Sequence, residues 1–223
     1  MRRLRLVHLT TTDISLALLL GPQLRAFRDA GYEVIGASAP GPYVAALEAD
    51  GIRHVPLEHA TRSMAPLEDV RALGELTRRL RELRPDVVHT HNPKPGVYGR
   101  LAARLAGVPA VVNTVHGLYA LPEDRFAKRA VVYALERVAA TCSGAELVQN
   151  PEDVPVLHRL GIRPEKVHLL GNGVDLRRFT PRPDAPARAQ ALRRAWGAGP
   201  DDVVVGLVGR LVVEKGYREV FAA

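Results

Sequence analysis

The sequence predicts an α/β fold, a Rossmann-like parallel sheet with helices on both faces. Three observations predict it. Short apolar runs of strand length alternate with segments of helical periodicity from Leu4 to Leu170. Gly31, Gly51, Gly107 and Gly161 stand where helices should end and the chain should turn toward the next strand. The loops that would follow the carboxyl ends of the strands are polar, whereas the opposite loops are glycine-rich turns. Alternation of this kind argues βαβ units joined by right-handed crossovers.

Taken in order, Leu4–Leu9 reads as the first strand and Thr10–Asp13 as a polar loop. Ser15–Ala30 is helical through Leu16, Leu19, Leu20, Leu24 and Phe27, with Pro22 its weak point. Tyr32–Ser38 is the second strand, broken by Pro40-Gly41-Pro42. Tyr43–Asp50 is a short helix and Ile52–Leu57 the third strand. Pro66–Leu83 is a helix with apolar Leu67, Val70, Leu73, Leu76 and Leu80 opposite a basic face. Asp86–His91 is the fourth strand, Pro95–Ala106 a small-residue helix and Ala110–His116 the fifth strand. Asp124–Cys142 is a longer helix, Glu146–Gln149 the sixth strand, Glu152–Leu160 a helix and Val167–Leu170 the seventh strand. From 175 to 200 Arg, Pro and Ala dominate, the texture of a linker carrying one helix around Ala187–Trp196. Val203–Val208 is a further apolar run, short enough for a buried strand but expected to lack sheet neighbours in this chain and so to form a weakly protected tail, and Gly216–Phe221 opens a helix.

Composition bounds the partners. Hydrophobic residues make up 47% and charged residues 25%, ordinary for a globular chain. The net charge of +7 and pI near 10.0 favour anionic partners. Nucleic acid is disfavoured, because aromatic residues, needed for base stacking, are only 5%. The single cysteine, Cys142, excludes an internal disulfide. The start of the chain has no signal-peptide pattern and no stretch has the length of a spanning helix, so a cytoplasmic location is expected. Arg71, Arg78, Arg79 and Arg81 lie along the helix 66–83, and Arg84 follows directly after it. They form either a solvated face or one that rests on anionic lipid at the inner face of a membrane.

In open parallel sheets ligands bind beyond the carboxyl ends of the strands. Those ends carry Thr12 and Asp13, then His91, Asn92 and Lys94, then His116 before Gly117, then Asn150, and finally Asn172. His89 and His91, two apart in a strand, face one side. Without a third ligand at metal spacing no metal is expected. His116 is either a hydrogen-bonded core histidine or a ligand contact. No Gly-x-Ser-x-Gly elbow and no Gly-x-Gly-x-x-Gly turn is present, which disfavours a serine hydrolase and a dinucleotide site. Near the C-terminus Arg210 and Lys215 stand among glycines, as a diphosphate site would need.

Gly209-Arg210-Leu211 with Glu214-Lys215-Gly216 resembles the donor-diphosphate motif of family 4 glycosyltransferases, retaining enzymes of GT-B architecture. Pro85–His91 with Pro93–Gly96, Gly99–Pro109, Thr114–Gly117 and Asn172–Asp175 with Arg178, Phe179 and Pro181 resemble other segments of that family, in the same order. The resemblance implies an N-terminal acceptor-binding domain over 1–174, a linker over 175–200 and the truncated start of a donor-binding domain over 201–223. It implies a nucleotide-sugar donor, which is a substrate, and no cofactor. Arg210 and Lys215 would hold the donor diphosphate and His116 would be the catalytic-site histidine. Thr12, Asp13, His91, Asn92, Lys94 and Asn150 would bind the acceptor. Thr11-Thr12-Asp13-Ile14 departs from the family's usual Gly-Gly loop. It is similar, with Thr61-Arg62-Ser63, to a subgroup that builds capsular and exopolysaccharide repeat units, which implies a polyprenyl-diphosphate-linked sugar or glycan acceptor. The family's paired glutamates would lie beyond Ala223, so the chain alone is expected to be inactive. A nucleotide-sugar epimerase of similar architecture and a non-catalytic binding module are the alternatives.

Overall fold

A computed structural model of the 223-residue chain describes residues 2–61, 66–91, 94–118, 124–209 and 211–222. The chain divides into two compact units, residues 1–172 and 173–223.

The first unit is a seven-stranded parallel sheet. Its strands are β1 (Arg5–Thr12), β2 (Glu33–Ala39), β3 (Arg53–Pro56), β4 (Val87–His91), β5 (Ala110–Val115), β6 (Ala145–Val148) and β7 (Val167–Leu169), in the spatial order β3-β2-β1-β4-β5-β6-β7. The chain winds outward from β1 to β3, returns to the other side of β1, and winds outward again. The order therefore reverses between β1 and β4, and a crevice opens at their carboxyl ends.

Among the described residues six helices cover the sheet: α1 (Gly21–Asp29), α2 (Val44–Ala49), α3 (Pro66–Leu83), α4 (Lys94–Leu105), α5 (Phe126–Ala140) and α6 (Asp153–Arg159). Leu24 of α1 and Leu47 of α2 pack with Val34 on one face of the sheet. Leu76 and Leu80 of α3 and Ala102 and Ala103 of α4 pack with Val7, Leu9, Ile35 and Val88 on the other. Val34 and Ile35 thus serve opposite cores, as adjacent strand residues must. Gly99 lets α4 lie close to the sheet, since a Cβ there would come within 2.4 Å of Leu9 Cδ2.

Several expectations are corrected. The helix expected over 15–30 is interrupted: Ser15–Leu19 forms a wide π-type turn and α1 begins at Gly21, with Pro22 in its first turn. A proline there lacks only an N–H that has no intrahelical partner, whereas in mid-helix it would clash. Thr10–Thr12 extends β1 instead of forming a loop, with a register shift between Leu9 and Thr12 that brings Thr12 opposite Ala39. Leu67 and Val70 of α3 are exposed, and its buried stripe starts at Ala72.

The second unit holds α7 (Leu176–Phe179), α8 (Ala185–Ala195) and α9 (Tyr217–Ala222). Val203–Val208 is not a strand, and Val203, Val205 and Val208 are exposed. A parallel strand needs hydrogen-bonded neighbours and cover on both faces, and no other strand lies in this unit among the described residues.

Candidate functional site

The crevice at the carboxyl ends of β1 and β4 is lined by polar side chains of four adjacent strands. Thr10, from the end of β1, is buried and its hydroxyl donates to the carbonyl of Thr12 at 2.9 Å. Thr12 is half-buried, with its hydroxyl 3.4 Å from that of Ser15. Asp13 is buried, and its carboxylate accepts from the Ile14 amide at 2.8 Å and the Tyr43 amide at 2.7 Å. It also packs on Gly41, where a Cβ would come within 2.5 Å of its Oδ1. Asp13 therefore staples the loop before α2 to the end of β1, and both its oxygens are engaged.

Lys94 opens α4 and is engaged as well. Its Nζ lies 2.5 Å from Asp69 Oδ1 and 3.3 Å from Thr61 Oγ1, which ties α4 to α3. Asn150 follows β6 and is half-buried. Its Nδ2 is 3.4 Å from Asp153 Oδ2, and it would be 3.5 Å from a Cβ placed on Gly117. Asn92 lies outside the described residues. His116 immediately follows β5 and is half-buried, and Gly117 beyond it holds φ +105°, a conformation that favours glycine.

The histidines form a connected set. His8 Nδ1 lies 3.2 Å from His91 Nε2, His91 Nδ1 lies 3.0 Å from His116 Nε2, and His116 Nδ1 lies 2.7 Å from Gln149 Oε1. His89 sits beside them, its Nε2 2.7 Å from Thr114 Oγ1 and its ring stacked on His91 with centroids 4.3 Å apart. The register pairs His8 with His89 across β1 and β4, which brings His8 into the group. Burial is the main cause that holds these rings neutral. It lowers His89 to about 4 and lowers His8 and His91 well below the ordinary histidine value, and neighbouring histidines reinforce the effect. His116 is also lowered by burial, with the Gln149 hydrogen bond pulling the other way.

The expectation of no metal was drawn from two histidines, and the fold adds a third. Ligand atoms of His8, His89 and His91 lie within 4.8 Å of one another. Metal ligation needs in-plane lone pairs that converge on one ion at about 2.0–2.1 Å. Three of these nitrogens are already engaged, His8 Nδ1 with His91 Nε2 at 3.2 Å and His89 Nε2 with Thr114 Oγ1 at 2.7 Å. The nitrogens already bonded to each other and to Thr114 fit a hydrogen-bonded chain better than a metal centre.

A second buried polar network lies behind the crevice. Arg100 of α4 is fully buried, and its Nη1 donates to Glu146 Oε1 and its Nη2 to Glu136 Oε1, each at 2.8 Å. Asn113 Nδ2 donates to Glu146 Oε2 at 2.7 Å, and Thr90 Oγ1 donates to Asn113 Oδ1 at 2.8 Å. One cation faces two carboxylates, and burial holds the carboxyl of Glu136 above its ordinary value. The network locks α4 and α5 to β4, β5 and β6. Two surface clefts of about 330 and 480 Å³ lie at the other end of the sheet, near Lys166 and near Asp86.

In the second unit, Tyr217 Oη donates to the carbonyl of Gly209 at 2.7 Å, which ties Gly209 to the start of α9. Lys215 is exposed there. Arg210 lies outside the described residues.

Sequence reasoning did not find His8, Gln149, Arg100, Glu136 or Glu146. A histidine inside the apolar run of β1 was the one available signal for His8. The partners of Arg100 become visible only once α4, α5 and β6 are side by side.

Comparison with known proteins fits this geometry. Residues 23–178 match Glycosyltransferase Family 4. The chain is 34% identical over 167 residues to the UDP-Gal:alpha-D-GlcNAc-diphosphoundecaprenol alpha-1,3-galactosyltransferase of Escherichia coli, covering 74% of this chain and 42% of that protein. It is 24% identical over 225 residues to the capsular polysaccharide biosynthesis glycosyltransferase CapM of Staphylococcus aureus, covering 98% of this chain and 56% of that protein. The crystal structure of Anabaena HepE in complex with UDP and glucose superposes with a TM-score of 0.73 at 18% identity, over 99% of this chain and 57% of HepE. The chain thus spans about half the length of the proteins it matches.

Proposed function

The chain belongs to Glycosyltransferase Family 4, and on that premise we propose that it carries the acceptor-binding domain and the opening of the donor-binding domain of a retaining nucleotide-sugar glycosyltransferase. The acceptor is a polyprenyl-diphosphate-linked sugar of cell-surface polysaccharide synthesis. The observation that carries the proposal is the polar crevice at the β1/β4 switch point, with His116 half-exposed at its mouth and Gly117 leaving room beside it. The E. coli relative named for a diphosphoundecaprenol acceptor, and HepE with its bound UDP and glucose, support the substrate classes.

Each residue then has a physical task. His116 hydrogen-bonds the donor sugar, which requires that a substrate atom replace one of its two protein partners. Arg210 and Lys215 hold the donor diphosphate and offset the charge that develops on it as the sugar departs. With two cations for that task, no metal is invoked. Thr12 and Asn150, half-buried at the rim, offer a hydroxyl and an amide to the acceptor, and Asn92 belongs to the same group. His91, Asp13 and Lys94 already have protein partners, so they act by shaping the acceptor pocket. No side chain is needed as a dedicated base, since in retaining chemistry of this kind the departing diphosphate can take the acceptor proton. No helix of the described residues is long and apolar enough to cross a membrane. The protein works at the cytoplasmic face, and the arginines of α3 give it a surface for anionic lipid.

The test is His116→Ala in a longer protein that joins this chain to a complete donor-binding domain. Turnover of the folded enzyme should fall by about 10²-fold, the scale of losing one positioned polar group in the transition state, with a modest drop in melting temperature from the hydrogen bond that buried His91 loses. A variant that loses thermal stability and keeps its turnover would show His116 to be a core histidine only.

A further inference from the structure

We infer that His8 and His91 are positioning residues for His116: the three imidazoles form one directional hydrogen-bonded chain that holds His116 as the neutral Nδ1–H tautomer, so that it meets a substrate oxygen as a donor and not as a base. The role toward substrate rests on the proposed placement of His116 at the donor sugar; the tautomer does not.

A neutral imidazole has one N–H and one bare nitrogen. His91 and His116 each use both nitrogens within the chain, His91 toward His8 and His116, His116 toward His91 and Gln149. Fixing the proton of one ring therefore fixes all three. Only two arrangements satisfy every link. In the first, Nδ1 of each ring carries the proton and the chain runs from His8 through His91 and His116 to the carbonyl oxygen of Gln149. In the second, Nε2 of each ring carries it, and Gln149 must turn its amide nitrogen toward His116.

The buried end decides between them. His8 is completely buried and its Nε2 has no hydrogen-bond partner among the described residues. The first arrangement leaves a bare lone pair there. The second leaves an orphan N–H, the rarer and costlier fault in a folded interior. Gln149 presents its oxygen to His116, in agreement with the first. Stacking of His89 on His91 holds the middle ring, and His89 is itself fixed by Thr114. Burial keeps the rings neutral, and a neutral state is what the chain needs, because an imidazolium donates from both nitrogens and would break it.

The consequence for His116 is specific. Its Nε2 lone pair is engaged by His91 and is not free to take a proton from a substrate. Its Nδ1–H points to the half-exposed Gln149, the one partner that a ligand can displace without opening the core. The group that replaces Gln149 must be an acceptor, such as a sugar hydroxyl or ring oxygen.

The test uses the ¹⁵N-labelled 223-residue chain without ligand. Long-range ¹H–¹⁵N correlation at pH 7.5 reads which nitrogen of each ring is protonated. His8, His91 and His116 should all be Nδ1–H, in an excess of roughly tenfold or more, because reversing His91 or His116 leaves mismatched links on both sides and reversing His8 mismatches its one link and leaves an orphan N–H. An Nε2–H or evenly mixed His116 would overturn the inference. His91→Leu should turn His116 into a mixture, and His91→Gln, which can still donate to His116, should restore the single form. Gln149→Leu leaves the buried end and the His91 link in place, so His116 should stay Nδ1–H there, and a switch to Nε2–H would overturn the inference; this variant keeps the test available if His91→Leu does not fold. A purely structural role for His91 would lower thermal stability in His91→Leu and leave the tautomer unmoved, which also overturns the inference. No substrate enters these measurements, so their outcome is separate from that of His116→Ala turnover.

Discussion

Lowering the pH should destabilise the first unit through its buried histidines, and the size follows from their burial. An unfolded histidine titrates near 6.5. His89 is lowered to about 4, and His8 and His91 well below the ordinary value, with burial the first cause. Between those values the unfolded chain binds protons that the folded chain refuses. Stability is therefore full above about pH 6.5 and falls as the pH drops through the unfolded value, continuing toward 4. For His89, moving from pH 7.5 to 5.5 costs on the order of 1 kcal/mol, and His8 and His91 act in the same direction, against a typical domain stability of about 5–15 kcal/mol. Glu136 acts in the opposite direction, since burial raises its carboxyl and the folded state takes up that proton first. That uptake offsets part of the loss from the histidines. His54 and His116, lowered by burial to a lesser degree, add to it.

The assay is urea unfolding at pH 7.5, 6.5 and 5.5. Far-ultraviolet circular dichroism is the right probe, because the only tryptophan, Trp196, belongs to the second unit. His89→Gln should reduce the pH slope and lose little stability at pH 7.5, since an amide can still reach Thr114. A stability independent of pH over this range, or a slope untouched by His89→Gln, would refute the reasoning.

Arg100→Leu leaves Glu136 and Glu146 buried without their cation and should cost about 3–5 kcal/mol, measured by the same unfolding curves; a loss under about 1 kcal/mol would show the network to be solvated. Backbone amides of residues 203–208, which form no strand, should exchange with deuterium far faster than those of β1, β4 and β5, and mass spectrometry of peptic fragments checks this. The arginines of α3 should bind the chain to vesicles containing anionic lipid and release it as salt rises. Equal binding to neutral vesicles, or none to either, would remove the membrane reading.

The fold was legible in the sequence because its signals are local. Each parallel strand is a short apolar run, and Gly31, Gly51, Gly107 and Gly161 end their helices with positive φ, a conformation that marks glycine wherever it is required. Pro22 shows where local reading stops. The apolar spacing on either side of it is helical, and whether a proline sits inside a helix or starts one depends on the packing of Leu16 and Leu20 beneath it. Val203–Val208 shows the same limit from the other direction: an apolar run specifies a strand only when partners are present to receive its hydrogen bonds.

The site was half legible for a similar reason. Reading the strand ends gave His91, His116 and Asn150 their positions, since the carboxyl end of a strand is a property of the chain's direction. What those side chains do with their nitrogens and oxygens depends on register, which no short segment records. His8 meets His89 only because β1 lies beside β4 with Leu6 opposite Val87. A shift of one residue would turn the imidazole of His8 to the opposite face of the sheet, where Val7 and Leu9 pack. The histidine chain is therefore a consequence of the same reversal in strand order that opens the crevice. β1 is the innermost strand of the first half and lies beside β4, the first strand of the second, so side chains from strands of both halves meet there. An imidazole in β1 can orient one at the mouth of β5 because β4 stands between them and carries His91. The crevice and the means of fixing His116 within it thus share one topological origin.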